Sequence, residues 1–110
     1  MAFKAVFIAH APDAEPVKHN TLIETGRYKL FTYVVKTQEE AIKVCKELHK
    51  KEKIDSVLLC PGFTHKDVSE IFDALNHEVG VCVSRGDGPS SKITATVLQK
   101  EFSGRWSSDL

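Results

Sequence analysis

The chain has 110 residues, of which 42% are hydrophobic and 27% charged, and its 15 Lys and Arg residues balance its 15 Asp and Glu residues. That length holds one hydrophobic core, so we expect a single domain. Proteins that bind nucleic acid or anionic membranes usually carry an excess of basic residues. This chain has no such excess, so we expect neither as a partner. No apolar run approaches the ~20 residues of a membrane span, and three widely spaced cysteines suggest no disulfide framework, so we predict a reduced, cytoplasmic protein.

The first elements in chain order are two strands separated by a connection. An apolar run at residues 4–9 predicts a strand that ends at His10. The connection over 11–27 contains two prolines and little apolar sequence, and we predict one helical turn around 17–23. Residues 28–36 are rich in aromatic and β-branched side chains and predict a second strand that is buried on both faces.

Two amphipathic helices are predicted, and each begins after a threonine cap. Thr37 is followed three residues later by Glu40, the pattern of a capping box, and the apolar stripe after it predicts a helix over 38–52. Thr64 is followed in the same way by an aspartate, and apolar residues at helical spacing predict a second helix over 65–77. Each helix is therefore expected to bury one side against a sheet.

The remaining segments predict strands and a tail. Residues 54–60 form a third apolar run, bounded by Pro-Gly, and residues 79–85 form a fourth. The alternation of apolar residues with threonine over 92–102 predicts an additional edge strand. We expect residues 1–102 to form the domain and residues 103–110 to form a polar tail.

The order of these elements predicts an α/β fold. Strand–helix–strand–helix–strand from residue 28 to 85 makes two crossover units and therefore a parallel sheet, with both helices on one face. With the first strand between the second and third, the sheet is mainly parallel and four-stranded, in the order 2-1-3-4 that begins a flavodoxin-like sheet. Two main helices cannot cover both faces of it, so we expect a homodimer or a larger homo-oligomer.

The layout of residues 1–88 resembles a known family. The turns "LLCPGF" at 58–63 and "SRGDG" at 84–88, in this order of strands and helices, are similar to those of short bacterial proteins that have no assigned function. The resemblance implies one α/β domain in a bacterial cytosol. It supplies no activity to transfer, and it stops before residue 89.

Three chemically active side chains leave neighbouring strands in this topology. In open α/β sheets ligands bind beyond the carboxyl ends of the strands, where the strand order reverses, which here lies between strands one and three. His10 and Cys60 leave those two strands, and Arg85 leaves the fourth. The amides of the helix that opens at Thr64 point to the same place and favour an anion. We therefore predict a small anionic ligand bound by Gly62, Phe63, Thr64, His65, Arg85 and Asp87.

Cys60 and His10 are the candidate catalytic residues. Cys60 precedes a helix N-terminus, which favours the thiolate, and an imidazole within hydrogen-bond reach completes a pair of nucleophile and base. Alternatively, Cys60 is an inert strand-end residue and His10 is a polar side chain bonded to backbone. Arg85 either clamps a carboxylate or phosphate or pairs with Asp87. Two functions stay open: anion binding with Cys60-dependent chemistry, and a non-enzymatic homo-oligomeric structural or regulatory module.

Metal and cofactor motifs are not evident in the sequence. His10, Asp13 and His19 do not have the spacing of a metal site, and no glycine-rich phosphate loop of a common type occurs. Cys45 lies on the apolar stripe of the first predicted helix and Cys82 in the middle of the fourth strand, and both are predicted to be packing residues. We therefore predict no metal site and assign no cofactor.

Overall fold

The computed structural model describes residues 1–102, and this part of the chain contains five strands and three helices. The strands are β1 (Phe3–His10), β2 (Asn20–Glu24), β3 (Tyr28–Val35), β4 (Ser56–Leu59) and β5 (Gly80–Val83). The helices are α1 (Gln38–Glu52), α2 (His65–Ala74) and α3 (Gly88–Glu101).

The sheet is mixed and has the order β2-β3-β1-β4-β5. β1 pairs in parallel with both β3 and β4, and β4 pairs in parallel with β5. β2 runs antiparallel to β3 and forms one edge. The prediction of a mainly parallel, four-stranded sheet is confirmed in part: β3, β1, β4 and β5 are parallel neighbours in the predicted order, whereas β2 adds a fifth, antiparallel strand that makes the sheet mixed.

The connection after β1 forms strand β2 where we predicted a helical turn. A local turn closes when the His19 amide donates to the Glu15 carbonyl at 2.8 Å. The chain then reverses at Thr25, whose amide donates to the Tyr28 carbonyl at 2.8 Å and whose hydroxyl accepts from the Tyr28 amide at 2.9 Å. The segment has too few apolar residues to bury one side of a helix, whereas the open edge of β3 satisfies its backbone groups directly.

Residues 88–101 form helix α3, so the edge strand predicted over 92–102 is wrong. The helix begins after Asp87 with Pro89 in its first turn, where the missing N–H of proline costs nothing. The alternating residues Ile93 and Val97 that suggested a strand are 71% and 54% exposed. The half-buried residues of this segment recur instead at helical spacing, as Ser91, Ala95, Leu98 and Phe102. The predicted tail, residues 103–110, lies outside the described residues.

Helices α1 and α2 pack on the same side of the sheet, which we call the first face. Both capping boxes form, because each threonine hydroxyl accepts from the amide three residues on and the acidic side chain there accepts from the threonine amide. α1 has its predicted bounds, whereas α2 ends earlier than predicted, since Asn76 and His77 adopt left-handed φ angles of 58° and 61°. The first face carries the buried strand residues Val6, Ile8, Val35, Val57 and Leu59.

The other side of the sheet, the second face, carries the alternate residues of each strand. In β1 these are Phe3, Ala5, Phe7 and Ala9, and the residues level with them in neighbouring strands point the same way. Within residues 1–102 no helix is long and apolar enough to cross a membrane.

Candidate functional site

A cavity of about 370 Å³ lies at the carboxyl ends of β1 and β4. β1 contributes Ala9 and His10 to its wall, and the turn after β4 contributes Cys60, Pro61 and Gly62. The chain leaves β1 towards the β3 side of the sheet and later returns to the β4 side, so the cavity is at the point where the strand order reverses. Ligands of open α/β sheets bind in this position.

His10 forms a fixed part of the cavity wall. It is the last residue of β1 and is only 9% exposed. Its ring lies 4.0 Å, centroid to centroid, from the ring of Phe63, with 30° between the planes. Phe63 is fully buried in the core, and its amide closes the Pro-Gly turn by donating to the Cys60 carbonyl at 3.2 Å. The imidazole is therefore held by a packed aromatic ring.

The Cys60 thiol faces the imidazole of His10. The Cys60 amide donates to the Ile8 carbonyl at 3.0 Å, which continues the parallel pairing of β4 with β1 by one residue. Its Sγ atom then lies 3.7 Å from His10 Nδ1, within hydrogen-bonding distance for sulfur. The two predicted catalytic residues thus meet in one half-buried pair. A thiol and an imidazole at this distance can exchange a proton, which is the arrangement that thiol nucleophiles use.

The opening of α2 is occupied by the protein's own carboxylate. Asp67 Oδ2 accepts from the Thr64 amide at 2.9 Å, and the Thr64 hydroxyl accepts from the Asp67 amide at 3.1 Å. Thr64 and the adjacent His65 are exposed and do not line the cavity. The helix end at which we expected a ligand anion therefore already carries a buried negative group.

Arg85 and Asp87 lie beside the cavity. Arg85 Nη1 donates to the Pro61 carbonyl at 3.3 Å, and the guanidinium is exposed. Within residues 1–102 no ion pair joins Arg85 to Asp87, which serves as the N-cap residue of α3. Of the predicted ligand-binding residues, Gly62 lines the cavity and Phe63 supports it from behind.

Helix α3 forms the wall of the cavity that the sequence analysis missed. The lining residues from this helix are Ser90, Ser91, Thr94, Ala95 and Leu98, followed by Phe102. A helix-start signal was present in "DGPS" at 87–90, where an N-cap residue precedes a proline in the first turn. The alternation further along the segment suggested a strand instead.

The candidate metal ligands of the sequence lie apart in the part of the chain that the structure describes. Within residues 1–102 no three His, Cys, Asp or Glu side chains come together as metal ligands. His19, considered with His10 and Asp13 in the sequence, accepts a hydrogen bond at Nδ1 from the Glu15 amide at 2.9 Å.

The fold and the cavity together define a small α/β protein with a ligand-sized cavity where its strand order reverses. The chain belongs to a family of unknown function, DUF6506, whose model matches residues 3–99. This confirms the predicted membership of an uncharacterised family and extends the match beyond residue 88, through most of α3. No curated protein and no solved structure matches the chain.

Proposed function

We propose that this domain binds a small molecule with an apolar body and a single polar or anionic head in the cavity beside His10 and Cys60. The observation that carries the proposal is the cavity itself, which lies at the reversal of strand order. Its volume of about 370 Å³ falls within the ~300–1,000 Å³ of small-ligand sites. The three free cysteines, Cys45, Cys60 and Cys82, support the reducing, cytoplasmic setting expected from the sequence.

The apolar part of the wall supports an apolar ligand body. It consists of Ala9, Pro61, Ala95, Leu98 and Phe102. A hydrocarbon or aromatic group that replaces water against these side chains gains about 25 cal/mol for each Å² of apolar surface buried. Because the residues come from the sheet, a turn and α3, they would surround such a group rather than contact it on one side.

The polar part of the wall supports one head group of limited charge. His10, Cys60, Ser90, Ser91 and Thr94 supply imidazole, thiol and hydroxyl groups, and the described lining contains no lysine or arginine. Asp87 is the N-cap residue of α3 and its side chain makes no capping hydrogen bond, so the first amides of this helix stay available as donors to a head group. These groups suit a monoanion such as a carboxylate. A polyphosphate would lack the cations that it requires.

The thiol–imidazole pair supports a reaction at the head group. With Sγ 3.7 Å from Nδ1, the Cys60 proton can pass to His10 while the sulfur forms a bond to an electrophilic carbon of a bound molecule. The group displaced from that carbon leaves with the bonding electrons. Alkylating agents carry such a carbon and therefore test the pair directly.

The test is a binding titration with a cavity-filling variant and a matched control. Benzoate and hexanoate serve as probes, benzamide is the neutral comparison, and binding is followed by NMR together with protection of Cys60 from iodoacetamide. Ala95→Phe fills the cavity, whereas Val97→Phe adds the same side chain at a 54% exposed position on the same helix.

We expect saturable binding of a carboxylate probe to the wild type and to Val97→Phe, loss of binding in Ala95→Phe, and protection of Cys60 by the bound probe. Circular dichroism checks that Ala95→Phe folds. The proposal is overturned if the wild type binds none of benzoate, hexanoate and benzamide saturably. It is equally overturned if the bound probe leaves Cys60 as reactive as before.

A second candidate function is the homo-oligomeric structural or regulatory module. The observation that favours it is the second face of the sheet, which α1 and α2 do not cover. A module of this kind would keep its oligomeric state in Cys60→Ser and would bind none of the probes.

A further inference from the structure

The second face carries no charged side chain on any of the five strands that the structure describes. The charged strand residues Lys4, Glu24 and Lys29 all lie on the first face. There Lys4 Nζ donates to the Glu52 carbonyl at 2.9 Å, and Lys29 Nζ lies 3.1 Å from Glu52 Oε1. The larger side chains of the second face are Phe3, Phe7, Ile23, Tyr28, Leu30 and Leu58. The other positions hold Ala, Val, Thr, Ser, Gly or Cys.

This face is exposed along β2 and at the amino ends of β1 and β3, and Phe7, Leu30 and Leu58 in its middle are half-buried. Ile23 is 59% exposed and Phe3 is 46% exposed, and Phe3 packs edge to face with Tyr28 at 5.3 Å. β2 lies in the plane of the sheet and adds to the width of the face instead of covering it. α3 meets the face at the carboxyl end of the strands, where Ala9 lines the cavity. Apolar surfaces of this extent on soluble proteins mark interaction sites.

We propose that the second face is the interface of a homodimer in which the sheets of two copies pack against each other. A two-fold symmetric interface brings the same residues of both copies together, so a charged face would repel its own copy. An uncharged face of apolar and hydroxyl side chains avoids that repulsion. Complementary charges commonly orient a different protein partner and exclude wrong ones, and the strands of this face offer none. Two sheets can pack face to face about 10 Å apart.

The area of the second face allows a rough expectation for the affinity of the dimer. Strands spaced ~4.8 Å apart with a rise of ~3.3 Å per residue give a projected area of roughly 450 Å² for each copy. Two copies together offer at most roughly 900 Å², because α3 meets the carboxyl end of the face. This is below the ~1,200–2,000 Å² that stable interfaces bury, so we expect a weak dimer that dissociates in the micromolar range.

Cys82 reports on this interface directly. It lies on the second face in edge strand β5, level with Leu58 of β4, and it is exposed where we had predicted a packing residue. In a Cys60→Ser protein the other thiol is Cys45, which is fully buried. Iodoacetamide labelling of Cys82 is measured by mass spectrometry across the micromolar range, in parallel with sedimentation velocity. We expect the labelling rate to fall with the monomer fraction, about tenfold when nine-tenths of the chains are dimeric.

A charge placed in the face provides the second measurement. Thr32 is half-buried in β3 and lies level with Phe7 and Thr21 on the second face. Thr32→Lys places two like charges in the interface, so we expect a monomer whose Cys82 labelling does not depend on concentration. Ser69→Lys makes a similar change at an exposed position of α2 and should leave the dimer intact.

Three results overturn the proposal. They are a wild type that stays monomeric throughout the range, a dimer in which Cys82 reacts at the monomer rate, and a dimer that persists in folded Thr32→Lys. Should Thr32→Lys fail to fold, the Cys82 measurement alone decides. None of these measurements depends on a ligand in the cavity, so the dimer and the proposed binding function can fail separately.

Discussion

Because the thiol of Cys45 is buried, we predict that the protein loses stability at alkaline pH. Cys45 lies in α1 at 0% exposure, and burial raises the pKa of its thiol from 9.0 to about 12. Well below pH 9 the thiol is protonated in both the folded and the unfolded chain and contributes no pH dependence. Between pH 9 and 12 the unfolded chain releases the proton while the folded chain retains it. The free energy of unfolding therefore falls as the pH rises through this window.

The size of the effect follows from the difference between the two pKa values. The linkage relation gives a loss of about 1 kcal/mol at pH 10 and about 4 kcal/mol as the pH approaches 12. Total stabilities of small domains are about 5–15 kcal/mol, so a loss of this size shifts a denaturation midpoint measurably.

The assay is urea unfolding of the wild type and of Cys45→Ala at pH 8 and pH 10, under reducing conditions. Cys45→Ala removes the buried sulfur and is less stable at both pH values. We expect the wild type to lose about 1 kcal/mol more than the variant between the two. Burial and the carboxylates of Glu47 and Glu52 also raise the pKa of Tyr33, but that group is present in both proteins and cancels in the comparison. Equal losses in the two proteins would refute the reasoning.

Two further predictions distinguish effects on folding stability from effects on the candidate site. Thr64→Ala removes the hydroxyl cap of α2 and should cost about 1–2 kcal/mol in urea unfolding. It should leave probe binding unchanged because Thr64 does not line the cavity. Loss of probe binding in the folded variant would show that the anion binds at the N-terminus of α2 instead. Phe63→Leu removes the ring that packs on His10 and should change the alkylation rate of Cys60, whereas Ile71→Val, a core change costing about 0.5–1.5 kcal/mol, should not. Equal alkylation rates in Phe63→Leu and the wild type would show that the ring does not position the pair.

Helices α1 and α2 could be predicted because their signals are local. Each capping box involves residues three apart, and each apolar stripe recurs within a few turns. The predicted and observed bounds of α1 agree at 38–52. Only the end of α2 differed, because left-handed backbone at Asn76 and His77 stops the helix where the apolar spacing alone would have continued it.

β2 and α3 could not be predicted in the same way because little of either is buried. All five residues of β2 are exposed, and its backbone bonds are made with β3 and not within the segment. α3 contains no fully buried residue among those described, so its apolar positions give no clear helical stripe. Ile93, Ala95 and Val97 alternate with threonines, and this spacing of two residues is typical of a strand. In the structure only Ala95 of the three lines the cavity, so the alternation does not report which side chains face the protein.

The pairing of His10 with Cys60 followed from topology, whereas the charge of the ligand did not. Once β1 lies between β3 and β4, the residues that leave β1 and β4 must be neighbours, and their separation of 3.7 Å is the result. The expectation of an anionic ligand rested on open amides at Thr64 and on Arg85, but the carboxylate of Asp67 caps that helix end and Arg85 donates to the Pro61 carbonyl. The wall supplied by α3 is mainly small and apolar. Much of the wall of the cavity therefore comes from the element with the weakest sequence signal, which is why the sequence predicted that His10 and Cys60 are neighbours but not what surrounds them.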